Sequence, residues 1–119
     1  MMFARLCAFA LLLLAAPLPA RAHAILLEAV PAAGQTVRAG HTEFHLRFNS
    51  RIDADRSRIA LLRAGGASEI LRITHGETAD RLVVSADLAP GAQVLRWQVL
   101  AVDGHITRGE IRFTVEAPR

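Results

Sequence analysis

Between residues 42 and 115 the apolar side chains return at every second position, segment after segment. "TEFHLRF" sets Phe44, Leu46 and Phe48 on one side and Glu43, His45 and Arg47 on the other. "RLVVSADL" does the same with Leu82, Val84, Ala86 and Leu88, "VLRWQVLAV" with Leu95, Trp97, Val99 and Ala101, and "GEIRFTV" with Ile111, Phe113 and Val115. A period of two belongs to strands with one face in a core and the other in water. "ILLEAV", "RIALLRA" and "EILRIT" are further strand candidates. Turn residues separate them: Pro31 with Gly34, Ala39-Gly40, Gly65-Gly66, Gly76 and Pro90-Gly91. About seven strands at this spacing predict an all-β fold, an antiparallel β-sandwich of Ig-like or cupredoxin-like Greek-key type. "FNSRIDADRS" reads as the one long polar connection, with room for a short turn of helix.

The start of the chain is of a different kind. "MMFARLCAFALLLLAAPLPARA" has a positive residue, Arg5, then an apolar run from Leu6 to Ala16, then Pro17 and Pro19. The run is shorter than the roughly 20 residues that span a bilayer. Ala20-Arg21-Ala22 is a small-x-small cleavage pattern, so residues 1–22 are expected to be a cleaved secretory signal. Residues 23–119 then form one exported domain of 97 residues without a membrane span. The only cysteine, Cys7, leaves with the signal, so neither a disulfide nor a thiolate metal ligand remains. Stability must come from the apolar core.

The same cut removes Arg5 and Arg21 and lowers the formal charge from +3 to about +1. The remaining arginines are scattered among acids, and no clustered basic face is legible. Nucleic acid is therefore not an expected partner.

Cleavage would also make His23 the first residue, with a free amine beside its imidazole. Near the other end stands "VDGHITRG", where Asp103 and His105 flank Gly104. Residues two apart in extended backbone project to one side, so this pair can face a common point. Taken alone, Asp-Gly-His is first of all a turn. In a sandwich the first strand often lies near the last ones, which would bring His23 to the pair. The amine and two imidazoles supply three nitrogens, and Asp103 adds an oxygen. That donor set suits a tetragonal ion, above all Cu(II), better than tetrahedral zinc. His41, His45 and His75 have no partner at a telling spacing and read as surface residues. Trp97 reads as core, and Glu28 and Asp87 as solvated strand charges.

These residues resemble a known family. "HAILLEAVPAAGQTV" is similar to the pattern H-A-x-L-x-x-S-x-P-x-x-G, and "WQVLAVDGHITRGEIRFTV" to W-x-x-x-S-x-D-G-H-P-x-x-G-x-x-x-F-x-V, both of the CopC-type periplasmic copper-resistance proteins. The resemblance implies a sandwich that binds one Cu(II) per chain through His23 (amine and imidazole), Asp103 and His105. It implies a monomeric copper carrier or buffer, not an enzyme, working beside an inner-membrane partner of the CopD type. Ala29, Ala101 and Ile106 replace the family's two serines and a proline. Ser50 stands where some members carry an acidic residue, so an extra carboxylate ligand is not expected. Met1 and Met2 leave with the signal, so no methionine site for Cu(I) is expected. Two other readings belong beside this one: a histidine-brace copper oxygenase acting on polysaccharides, and a metal-free interaction sandwich.

Overall fold

The structure, a computed structural model, describes residues 24–118. The nine strands of this region are β1 (Leu26–Val30), β2 (Thr36–Arg38), β3 (Gly40–Phe48), β4 (Ile52–Leu62), β5 (Ser68–Leu71), β6 (Thr74–His75), β7 (Arg81–Leu88), β8 (Gly91–Ala101) and β9 (Ile106–Glu116). They form a four-stranded sheet in the order β1-β3-β7-β6 and a five-stranded sheet in the order β2-β9-β8-β4-β5. The expected β-sandwich is present, with all seven sequence-derived strand candidates in it. Each alternating stripe turns inward: Phe44, Leu46 and Phe48, Leu82 and Val84, Leu95 and Val99, and Ile111, Phe113 and Val115 are all buried. Two aromatic contacts bridge the sheets. Phe44 and Phe113 lie 5.3 Å apart, and Phe48 meets Trp97 edge-on at 5.3 Å and 73°. Both are favourable geometries for ring quadrupoles.

Three features differ from the sequence reading. "FNSRIDADRS" is not a long connection with a turn of helix, because β4 already begins at Ile52. Ile52 and Ala54 point into the core, Asp55 and Arg56 are exposed, and Ile59 and Leu61 point in again. The ladder with β8 is irregular between Asp53 and Arg58, and the shift resets the alternation. That break hides the strand from a period-two reading. Second, β2 and β6 add strands of three and two residues, too short to show a period. Third, β2 runs parallel to β9, with Val37 opposite Val115, so the five-stranded sheet is mixed.

The core is filled closely beneath the β8–β9 ladder. Trp97 pairs with Gly109, and a Cβ on Gly109 would stand 2.6 Å from Trp97 Cε2. Only a residue without a side chain lets the indole lie there. Gly109→Ala should therefore destabilise the fold by about 1–3 kcal/mol, the usual cost of overpacking. Urea unfolding followed by Trp97 fluorescence measures it, and an unchanged midpoint would contradict this packing.

Candidate metal centre

The β8–β9 hairpin ends in a tight turn over Val102–His105. The Gly104 amide donates to the Ala101 carbonyl at 2.9 Å, and the Ala101 amide to the His105 carbonyl at 2.9 Å. Gly104 has φ +94°, a left-handed conformation that glycine adopts without strain. Asp103 Oδ1 accepts the His105 amide at 3.2 Å and lies 3.4 Å from His105 Nδ1. The predicted pair is thus brought together, with Asp103 42% and His105 52% exposed at the side chain. The hydrogen bond from the His105 amide holds the Asp103 carboxyl below the usual carboxylate range, supported by the hydrogen bond and charge of the His105 ring. An ionised carboxylate beside an imidazole, at a solvent-facing turn, can donate oxygen and nitrogen to one cation.

His23, the third predicted ligand residue, lies outside the described residues. The two residues after it are firmly placed. Ala24 is fully buried. The Ile25 amide donates to Asn49 Oδ1 at 2.7 Å, and the Asn49 amide donates back to the Ile25 carbonyl at 3.0 Å. Close by in the chain, the Arg51 carbonyl accepts the Val102 amide at 3.1 Å, and Ile52 pairs with Ala101. The β3–β4 connection therefore ties residues 24–25 to the root of the Asp103–His105 turn. The first strand does not pair with the last ones, since its ladder is with β3 in the other sheet. The link runs through Asn49 and Arg51, which sequence reasoning does not single out. Their only sequence signal is a polar tripeptide between two strands, and its value appears once Ile25 lies opposite.

The remaining candidates lie elsewhere. The sequence suggests no partner for His41 or Asp87, yet the His41 Nδ1 to Asp87 Oδ1 distance is 2.9 Å, because β3 and β7 place them opposite each other. His45 Nε2 lies 2.6 Å from Glu43 Oε1, and Glu28 lies 3.3 Å from Arg47. Ser50 belongs to the β3–β4 connection, with its hydroxyl 3.4 Å from the Arg51 carbonyl. Among the described residues no group of three His, Cys, Asp or Glu side chains is placed to hold a metal ion. The turn contributes two such donors, Asp103 and His105.

Known proteins share this fold. Among solved structures, CopC from Methylosinus trichosporium OB3b matches with a TM-score of 0.74 and 29% identity, over 82% of this chain and 97% of that one. PcoC from Escherichia coli, a methionine-rich copper-resistance protein, matches with a TM-score of 0.68 and 22% identity, over 80% of this chain and all of that one. A search of curated sequences finds no match. The family model for the CopC domain matches residues 26–116, from the first residue of β1 to the last of β9. The chain therefore belongs to the CopC family.

Proposed function

We propose that this protein is a periplasmic Cu(II) carrier or buffer, exported by residues 1–22 and cleaved after Ala22. It binds one Cu(II) per chain as cargo, through the amine and imidazole of His23, the Asp103 carboxylate and the His105 imidazole. The observation that carries this reading is the clamp at the end of the sandwich. Ala24 is buried, Ile25 is held by Asn49, and Arg51 is bonded to Val102, one residue before Asp103. Ala24 and Ile25 therefore share one end of the sandwich with the Asp103–His105 turn. The CopC-family match and the likeness to a copper-resistance structure support copper as the cargo. The chemistry of the donors agrees: nitrogen-rich sets with one carboxylate favour Cu(II) among first-row divalent ions.

A carrier fits better than an oxygenase acting on polysaccharides. Every Phe and Trp side chain among the described residues, Phe44, Phe48, Trp97 and Phe113, is buried in the core. A polysaccharide would meet no such aromatic face on this part of the surface. An inner-membrane protein of the CopD type is the proposed recipient or donor of the copper, and the carrier itself is proposed to be a monomer. No helix among the described residues is long and apolar enough to cross a membrane.

The proposal is tested on the processed chain beginning at His23, titrated with Cu(II) against a competing chelator and followed by EPR. Tight one-to-one binding with a tetragonal, nitrogen-rich spectrum is expected. One alanine added before His23 should abolish that spectrum, since it moves the amine away from the imidazole. Equal binding with and without the added alanine would refute the brace.

Asn49→Ala should weaken Cu(II) binding by about 10–100-fold while the sandwich stays folded, the usual effect of removing a group that orients a ligand. Chelator competition reads the affinity and far-UV circular dichroism the fold; unchanged affinity would remove Asn49 from the site.

Affinity should also fall between about pH 8 and pH 5, because amine and imidazole nitrogens bind copper only when unprotonated and protons compete with the metal on acidification. Asp103 contributes little there, because its carboxyl is held below its ordinary value and stays ionised. A flat profile over that range would argue against nitrogen ligation.

A further inference from the structure

The outward face of the five-stranded sheet carries an unbalanced group of arginines. Strand register sets its rows. Arg58, Gln98 and Arg108 lie side by side across β4, β8 and β9. The next row is Ala60, Arg96 and Glu110, and the next Leu62, Val94 and Arg112. Side chains that are opposite on one face sit about 4.5–5.5 Å apart at Cβ. Four arginines therefore share these three rows with one carboxylate, Glu110. By side chains that is +3 within the rows, whereas residues 23–119 as a whole, with 12 arginines and 11 acids, carry +1. Asp53, opposite Leu100, and Glu116, opposite Arg38, lie on the same face outside these rows. The sequence conceals the cluster, because its members come from three strands between residues 58 and 112.

The arginines are not equally satisfied. Glu110 engages both Arg96 and Arg112 at 3.0 Å. Arg108 donates from Nε to the neutral Gln98 oxygen at 2.8 Å. Among the described residues no carboxylate lies within ion-pair distance of Arg58 or Arg108. These two guanidinium groups flank Gln98 from opposite sides and can converge on an anion above it. A groove of about 420 Å³ runs between the rows, bordered by Arg58, Ala60, Arg96, Gln98, Arg108 and Glu110. Ala60 has the shortest side chain of these, and its β5 neighbour Ile70 is 65% exposed. The groove thus offers apolar contact beside its charges.

We propose that this face docks an acidic segment of a partner protein. The carboxylates of that segment would pair with Arg58 and Arg108 as Glu110 pairs with Arg96 and Arg112, and its intervening side chains would pack on Ala60 and Ile70. A guanidinium matches a carboxylate in a bidentate fork, which gives the contact direction as well as charge. A concave groove favours a chain that enters it over a lipid surface, which would meet its rim. Arg108 lies three residues beyond His105 on the same hairpin, so a partner held here sits alongside the Asp103–His105 turn. The proposal does not depend on which metal that turn holds.

The test uses the processed, metal-free protein, labelled with ¹⁵N and titrated with hexaglutamate at low salt. Saturable shifts centred on residues 58–60, 96–98 and 108–110 are expected, and they should weaken as added salt shortens the Debye length to about 8 Å. The R58Q/R108Q double variant should bind about tenfold more weakly. R47Q/R81Q, which removes equal charge from the other sheet, should bind within about twofold of the parent. Both variants should keep the parent's dispersed spectrum, and R58Q/R108Q should keep its Cu(II) affinity, which separates this face from the metal reading. Equal weakening in both variants would show charge attraction alone and overturn the proposal. So would shifts outside the groove, or no binding of the peptide. Binding to phosphatidylglycerol vesicles that R58Q/R108Q abolishes, without any peptide binding, would also overturn it in favour of a membrane surface.

Discussion

Phe48 and Trp97 meet edge to face between the two sheets, and the rest of the molecule is arranged around that contact. With no cysteine in residues 24–118, nothing covalent holds the sheets together. The sandwich depends on side chains that alternate correctly on both inner faces, and this pair lies close to the end where function is proposed. Phe48 is the last residue of β3, directly before Asn49, and Trp97 lies four residues before Ala101, where the β8–β9 turn begins. Burying each such ring stabilises the fold by roughly 1.5–3 kcal/mol. The same contact fixes where the two loops emerge. Hydrogen bonds at Asn49 and at the Arg51 carbonyl then complete an arrangement that core packing has already set.

This dependence on alternation also decides how much is legible in the sequence. Wherever one face of a strand is buried and the strand is regular, the pattern is plain, and β3, β7, β8 and β9 lie where their alternation puts them. Only half of β4 is visible that way, because an irregular register between Asp53 and Arg58 breaks the period at charged residues. β2 and β6 have too few residues to show any period, and their pairing is a matter of long-range geometry. The Asp103–His105 pair is legible because both members are close in sequence and the glycine between them marks a turn. Asn49 is not, since its importance lies in a hydrogen bond across 24 residues. The His41–Asp87 pair escapes for the same reason, its members standing 46 positions apart. Motif resemblance reaches further than periodicity, because it preserves the joint occurrence of distant residues that no local pattern contains.

One hairpin combines two chemical characters. At its tip, a carboxylate and an imidazole face solvent over a glycine turn. Along its outward face, Arg108, Arg96 and Arg112 continue down the strands, with Glu110 among them. Its inward face is apolar at Leu95, Val99, Ile111, Phe113 and Val115. A β-ladder makes this separation possible, because successive residues alternate sides and need not compromise with each other. Substitutions on the outer face can alter recognition without disturbing the core, whereas Gly109, pressed against the indole, has no such freedom.

The four strands that border the sheets are also the four shortest: β1 and β6 on one sheet, β2 and β5 on the other, with five, two, three and four residues. Long open borders act as templates on which another chain can add a strand, and short ones give it little to extend. The long strands β3 and β8 have a neighbour on both sides, while β4, β7 and β9 are covered on their outer sides only over the four, two and three residues that pair with β5, β6 and β2. Strand addition, and with it fibrillar association, is thereby limited to the stretches those short strands leave open. Other contacts fall to the broad faces and to the loops at the ends.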